Sequence, residues 1–592
     1  MNKPNKQIQT TWNLGLLYKN HNDPQIEKDM LETERAFDAF EKKYRGKTDY
    51  LKSDTKLAQA LAASEALSTD RAVGKPFMYF SFALKLNSED TVARARVAQF
   101  TERFARLDQK VLFLGLAIAK IPVTDQKKFL RNPKLAPYRY LLGNIFKHAV
   151  HNLSEAEEKI MILKSNPSHD LWTALTDKML STLVVQHQGK EIPHAEAMSH
   201  IANLETAERR ELHNKAMKAL ETLGTVAESE INAVCTNKKI NDDLRGFKEP
   251  YDASILGFEN DKKSVMTLVD TVTKNFSISH RFFKLKAKLL KLPHLEYADR
   301  NAGIGKNVKK VTFPEAVTIL QKVFGDTDPM YRKTLEDFLE RGQIDVYPRK
   351  GKDNGAHCNF AFNIPTFVLL NYTDTVDQVS TFAHEMGHAI HTELSRIQPI
   401  RYQGYSISTA EVASTFFEML TFDALLETLS ESEQMIALHN KISDDMQTVF
   451  RQIACFNFET ELHNSIRAKG ALSKEEIRTL LNKHMSAYLG PIFKMTDLDG
   501  NFFVTWGHIR KFFYVYTYAF GQLISKALYA KYKEDKKFIK QVNAFLSAGG
   551  SDTPENIFKS IGIDVTKPDF WEKGLKSIEK DIERLEKLSK KR

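Results

Sequence analysis

The chain has 592 residues, more than one core needs, and 42% apolar with 27% charged side chains is ordinary for a soluble globular protein. A net charge of +10 invites a nucleic-acid partner, but 85 basic residues are interleaved with 75 acidic ones and no nucleic-acid motif accompanies them. Three scattered cysteines (Cys235, Cys358, Cys455) exclude a disulfide framework, and the longest strongly apolar run, residues 111–119, is too short to cross a bilayer.

No apolar leader opens the chain, so a cytoplasmic protein without a membrane partner is expected. Residues 25–180 place apolar side chains three and four apart and predict successive amphipathic helices. Ser154 to Glu157 forms a capping box for one of them. A short hairpin is expected over "STLVVQHQGKEIP", with Gln188-Gly189 at its turn. Helix returns by residue 200, where a boundary separates an N-terminal helical lobe, 1–200, from a second domain, 201–592. At 340–375 the texture changes to Gly, Pro and Asn punctuation around β-favouring runs, which predicts two or three short strands. Helices resume from 409 to the end, where Leu575, Ile578, Ile582, Leu585 and Leu588 line one face and charges fill the other. The fold class is mainly α, with one small β-sheet beside the helix discussed next.

That helix carries "FAHEMGHAIH", residues 382–391, four titratable side chains in an otherwise apolar stretch. Thr375 with Gln378 reads as its capping box, and it should stop before Pro399. His384 and His388 stand at i and i+4, so both imidazoles leave one face a turn apart, a spacing that suits two ligands of one tetrahedral zinc. Glu385 is rotated about a hundred degrees away, placed to reach a metal-bound water. This is HExxH; by chance it would occur in such a chain with a probability of roughly a few per cent. Gly387 inside the helix costs about 1 kcal/mol relative to Ala, so something must pack closely against it. His391 is better read as an ordinary surface or core histidine. A zinc hydrolase needs a third protein ligand and an open position. Leu394 excludes the metzincin third histidine, and the best placed carboxylate is Glu411 in "SISTAEVASTFFEML". Ser408 to Glu411 also fits a capping box, so ligand and cap compete for one carboxylate. Glu418, two turns on, is either a hydrogen-bond acceptor for a ligand histidine or a solvated side chain.

A later cluster, "TWGHIRKFFYVYTYAFG", sets His508 before Tyr514, Tyr516 and Tyr518. An aromatic core face is the plain reading. Imidazole and phenol donors are also what a tetrahedral oxyanion needs. In regular helix Tyr514 and Tyr518 share a face and Tyr516 points elsewhere.

Taken in order, "TTWNLGLLY", "LAPYRYLLGNIFKHAVHNLSEAEEKIMI", "RKGKDNGAHCNF", "PTFVLLNYTDTVDQVSTFAHEMGHAIH", "AEVAST", "FYVYTYAFG" and "GGSDTPENIFKSIGIDVTKPDFWEKGL" resemble the oligoendopeptidase F family of zinc metallopeptidases, relatives of thimet oligopeptidase and neurolysin. The resemblance implies a two-lobed helical body with zinc at the floor of a deep channel, and cleavage of short peptides inside it. It implies one zinc per chain on His384, His388 and Glu411, catalysis by Glu385, and His508 with Tyr514 and Tyr518 at the transition state. The chain departs from the family at His357, where a tyrosine is usual, in "KGKDN", and in "IRKF" after His508.

The expected chemistry is metal-assisted peptide hydrolysis with Glu385 as general base and then acid, and with short peptides as partners. "PTFVLLNY" is expected to pair with extended substrate backbone, helped by Asn371 and the "GAHC" backbone. The nearest alternative is a helical zinc carboxypeptidase or dipeptidyl carboxypeptidase. That would need a cationic anchor, with Arg349, Lys350, Lys352 and Arg510 as candidates. A basic scaffold binding nucleic acid is the alternative from another class, and the intact HExxH argues against it.

Overall fold

Helices dominate because apolar residues recur at helical spacing with few glycines to interrupt them. The computed structural model describes residues 8–69, 73–305 and 309–591. Residues 1–7, part of the stretch read above for a leader, lie outside these. The expected N-terminal helices run from Pro24–Tyr44 through Thr91–Ala119 and Arg139–Ala149 to Leu171–Thr182. The Ser154 capping box forms, with Ser154 N–H donating to the Glu157 carboxylate at 2.8 Å and Glu157 N–H to the Ser154 hydroxyl at 3.4 Å. Val184–His187 pairs antiparallel with Lys190–Pro193. Gln188 and Gly189 turn between them at φ of 50° and 76°, the left-handed pair that suits the twist of a tight hairpin. The last helix, Pro568–Ser589, buries Leu575, Ile578, Ile582 and Leu585 as its stripe requires. A two-residue parallel pairing of Leu295–Glu296 with Phe493–Lys494 was not foreseen, being too short to leave a sequence pattern.

The sheet expected at 340–375 has three strands: β1 (Ile344–Asp345), β2 (His357–Ala361) and β3 (Ile364–Leu369). The order is β1-β3-β2, with β1 parallel and β2 antiparallel to β3. Asn363, at φ 57°, turns β2 tightly into β3. This corrects the expectation that "PTFVLLNY" pairs with substrate. β3 is the central strand and both its edges are used, and its continuation is also taken, Leu370 N–H donating to Asp345 O at 2.8 Å and Tyr372 N–H to Val346 O at 2.9 Å. Among the described residues the free edge near the metal helix belongs to β2, and it carries the "HC" of "GAHC". Asn371 is likewise committed, its side-chain amide donating to Asp353 O (2.9 Å) and Gly355 O (2.8 Å), which fixes the loop leading into β2.

β3 also joins two apolar cores. One collects residues from Trp12 to Phe146 and the other from Val185 to Leu585. Side chains alternate across a strand, so Phe367 and Leu369 enter the first core while Val368 and Leu370 enter the second. Such a strand must be apolar on both faces, which is why "FVLL" shows no alternation. Trp12 completes the junction, its ring 5.3 Å from Phe367 and its Nε1–H donating to Val368 O at 2.7 Å.

The motif helix, α1 (Val376–Ser395), starts and stops where expected. Its capping box is absent, however: Thr375 makes no side-chain cap. Thr375 instead pairs through its backbone with Lys310, so a tertiary bridge sets the entry to the helix. Packed against α1 is α2 (Ile407–Leu426).

Candidate metal centre

The site is built where α1 and α2 touch. A Cβ on Gly387 would lie 2.7 Å from Ser414 Cα and 3.2 Å from Ala413 O, so only glycine admits the α2 backbone this closely. Glu411 lies one turn before Ser414 and therefore faces α1 beside His384 and His388. Its Oε2 is 3.4 Å from His384 Nε2 and 3.8 Å from His388 Nε2. One ligand atom from each of the three lies within 4.8 Å of the others, a donor set of two imidazoles and a carboxylate that fits tetrahedral zinc with one position open. The competing cap is not formed. α2 begins earlier than the box requires, so Ser408 sits in its first turn and donates to Asn260 Oδ1 at 2.5 Å. Ser414 Oγ donates to Glu411 Oε2 at 3.0 Å.

Glu418, on the same face of α2, approaches His384 Nδ1 at 3.2 Å. That leaves His384 Nε2 turned toward Glu411, as ligand chemistry requires. Burial alone would lower the His384 pKa, but hydrogen bonds with Glu411 and Glu418 hold it well above its usual value. His388 is pushed down to about 4 by burial and by His384. Against its own burial, Glu411 is held at about 2 by its bond with His384 and by the charge of both histidines.

Gly387 supplies the first test. Alanine would gain about 1 kcal/mol of helix propensity, whereas overlap with backbone that cannot swing aside costs typically about 1–3 kcal/mol. Gly387→Ala should lower the melting temperature slightly, Gly387→Val more, and affinity for a metal at this site should drop by about 10–100-fold as the supporting contacts shift. Thermal melts with a chelator competition read both. An alanine variant with wild-type melting and affinity would mean the helices part at no cost.

Glu385 is turned off the ligand face and is only 6% exposed. Its Oε2 has no hydrogen-bond partner. Burial pushes its carboxyl up to about 7, against the nearby His384 and a hydrogen bond from the Cys358 backbone on β2. A carboxylate poised near neutrality, beside both the ligand cluster and a free strand edge, has the properties of a general base. A cavity of about 580 Å³ opens at this point, lined by His384, Glu385, Glu418, Ala356, Asp377 and Asp444. Burial pushes the Asp444 carboxyl up to about 7, helped by Glu418, Asp445 and Asp377.

The second cluster also assembles, by a different route from the one expected. Helix α4 (Tyr516–Glu534) begins after Tyr514, because Phe512 and Phe513 both take positive φ, 51° and 56°. This corrects the regular helix assumed for the tyrosines. Tyr514 nonetheless meets Tyr518, their hydroxyls 3.3 Å apart, and the His508 ring stacks on Tyr514 with centroids 5.3 Å apart. Tyr516 points away, donating to Asn260 Oδ1 at 2.9 Å in the core. Burial, with Arg451 and Lys511, keeps the His508 pKa low, and burial with Tyr518 raises that of Tyr514, so Tyr514 remains a proton-bearing donor. A Cβ on Gly521 would lie 3.0 Å from Glu411 Cβ, so α4 crosses α2 at Glu411, with Tyr518 about one turn earlier on α4.

His391 is a core histidine, stacked on Tyr405 with centroids 3.7 Å apart. The cationic anchors raised as candidates are all engaged. Arg349 holds Asp345 at 2.6 and 3.1 Å, and Lys352 holds Asp345 at 2.7 Å while buried. Lys350 meets Glu89 at 3.2 Å, and Arg510 forms a buried fork on Glu230 at 3.0 and 2.8 Å. His357 is drawn to Lys85, with Nε2 to Nζ 3.2 Å. Two carboxylates were missed, Asp444 at the exposed mouth of the cavity and the fully buried Glu459. Glu459 had a signal: on helix α3 (Arg451–Lys469) it continues the apolar stripe of Phe456, Leu462 and Ile466.

Two family models match this chain. Residues 203–577 match peptidase family M3, and residues 118–184 match the oligopeptidase F N-terminal model. The chain belongs to peptidase family M3. As a member of M3 it is a metalloendopeptidase. Its M3 core covers α1, α2, the sheet and the His508 cluster. Oligopeptidase PepF of Bacillus subtilis is 28% identical over 480 residues, 78% of this chain and 71% of that protein. Group B oligopeptidase PepB of Streptococcus agalactiae is 25% identical over 541 residues, 88% of each. In structure, a crystal structure from Chlamydophila abortus aligns with a TM-score of 0.85 over 98% of both chains at 24% identity. Oligoendopeptidase-F from Enterococcus faecium aligns with a TM-score of 0.69 at 20% identity, over 96% of this chain and 99% of that one. These likenesses carry the helical fold. Among the described residues no helix is long and apolar enough to cross a membrane.

Proposed function

We propose that this M3 chain is a zinc-dependent oligoendopeptidase that cuts short peptides internally. One observation carries the reading: two imidazoles and a carboxylate converge within 4.8 Å, and the remaining glutamate of HExxH is buried beside them without a partner on Oε2. His384, His388 and Glu411 would hold one zinc, with Glu418 orienting His384. Zinc bound there supplies a Lewis acid for the scissile carbonyl and a water that is nucleophilic near neutral pH. Glu385 takes the water proton and later returns it to the leaving amine. His508, Tyr514 and Tyr518 offer N–H and O–H donors to the developing oxyanion. The free edge of β2 would bind extended substrate backbone, which gives affinity with little demand on sequence.

The two-lobe division at residue 200 belongs to the same reading. Two apolar cores, with β3 shared between them, support a division into two lobes; they part between Phe146 and Val185, so Val185 and Ala197 pack with the second lobe. Residues 1–200 would wall the channel and 201–592 carry the chemistry. Reaction within a cytoplasmic pool of short peptides, rather than on nucleic acid or membrane, completes the proposal. The carboxypeptidase alternative is weakened because Arg349, Lys352 and Arg510 hold buried carboxylates, while Lys350 meets the exposed Glu89 at the surface.

Mass spectrometry of a peptide-library digest, with and without chelator, is the direct test. Peptides of roughly 5–20 residues, the longest about 65 Å when extended, should be cut internally, including those blocked at both ends. Chelator should stop the reaction and zinc restore it. Intact casein should survive, and its ready degradation would end the closed-channel picture.

A further inference from the structure

Two consecutive non-glycine residues in the left-handed region are costly, of order 1–3 kcal/mol each, and persist only where their surroundings over-determine them. Phe512 and Phe513 form such a pair, placed between His508 and Tyr514. The turn is held on several sides. Arg510 is forked onto buried Glu230 and donates to the carbonyls of Phe503 and Trp506. Ser254 Oγ donates to Phe512 O at 2.8 Å. Phe513 is fully buried, its ring 5.0 Å from His463 and 5.5 Å from Phe456. Its N–H, left without a backbone partner by the reversed φ, donates to Glu459 Oε1 at 2.9 Å.

Glu459 itself is fully buried on α3, and its Oε2 has no partner. An ionised carboxylate placed so would be costly, and burial pushes this one up to about 8. At neutral pH it is mainly a neutral acceptor. A buried carboxyl in an apolar stripe is costly to desolvate, and its hydrogen bond goes to the strained residue next to Tyr514, whose buried N–H would otherwise lack a partner.

We propose that Glu459 is a positioning residue, which locks the Phe512-Phe513 turn and so aims His508 and Tyr514 at the reacting carbonyl. The proposal rests on the reading that His508 and Tyr514 serve the transition state. Glu459 touches neither substrate nor metal; it acts through the Phe513 amide. Misplacing a catalytic group by about 1 Å costs about 10²-fold, so the loss expected on freeing the turn lies between about 10- and 100-fold.

The test uses the full-length, zinc-loaded enzyme and a quenched fluorescent peptide. Glu459→Leu should lose about 10–100-fold in kcat, with KM within about threefold and zinc content unchanged. Glu459→Gln keeps the acceptor and the shape, and should restore near wild-type kcat. Should the leucine variant fail to fold, Glu459→Asp, which withdraws the acceptor by one methylene, reads the same loss in smaller measure. A coupling measurement separates this proposal from the reading beneath it. If Glu459 works through His508 and Tyr514, adding Glu459→Leu to an enzyme that already carries His508→Ala and Tyr514→Phe should cost no further kcat. Independent, multiplying losses would overturn the positioning role. So would a folded Glu459→Leu enzyme with wild-type kcat while Tyr514→Phe is impaired. Wild-type kcat in both Tyr514→Phe and His508→Ala would instead remove the transition-state reading, and this proposal with it.

Discussion

Glu385→Gln is expected to abolish turnover while zinc and fold stay in place. Glutamine has nearly the shape of glutamate but takes no proton at neutral pH. General acid–base catalysis is worth about 10²–10⁴-fold, and Glu385 would serve once as base and once as acid in each cycle. The site adds reasons to place the loss in kcat. Glu385 is not among the converging ligand atoms, so the metal should not notice the change. Its carboxyl is pushed up to about 7 by burial, a value set by surroundings that a neutral amide also tolerates. Peptide binding should therefore be largely kept. The measurement is kcat on a quenched fluorescent peptide, with zinc determined on the same sample. A zinc-loaded variant retaining more than about a tenth of wild-type kcat would falsify the assignment, being well outside the expected range.

How much of this could be read from residues alone depends on where each interaction closes. Local periodicity located α1 and the Ser154 cap, because helix stripes and caps are written within a few positions. HExxH put the His384 and His388 rings side by side on α1, since one helical turn fixes their separation. Gly387 announced a close approach but could not name its partner, because the Ser414 backbone arrives from another helix. The Thr375 cap failed for the same reason in reverse: a backbone bridge to Lys310, distant in sequence, took its place. The strand expected to have a free edge for substrate was the wrong one because "HCNFA" and "PTFVLL" have similar β character, and only the pairing order decides which keeps a free edge. Around His508 the residue types were legible, but the geometry was not. Two phenylalanines carry no signal for positive φ; the turn exists because Glu459, Glu230 and Ser254 converge on it from elsewhere in the chain.

Glu411→Ala is expected to empty the site of zinc and to remove activity with it. The two carboxylates of α2 make a graded comparison, since both face α1 but at different atoms. Glu411 Oε2 stands between His384 Nε2 and His388 Nε2, the arrangement a shared ligand position would need. Glu418 Oε2 reaches only His384 Nδ1, on the far side of the same ring. Without Glu411 the donor set falls to two neutral imidazoles, which is below what a zinc site in a hydrolase requires. Without Glu418 all three ligands remain and only the orientation of His384 is released, a change worth about 10–100-fold in affinity or activity. Zinc content after gel filtration should thus collapse in Glu411→Ala and persist in Glu418→Ala, with weaker affinity under chelator competition. The melting temperature of the metal-free protein should change little in either, because neither carboxylate caps α2. Full zinc retention by Glu411→Ala would leave its place between the histidines as a simple ion pair and move the third ligand elsewhere, with Glu418, free to swing across His384, as the first residue to examine.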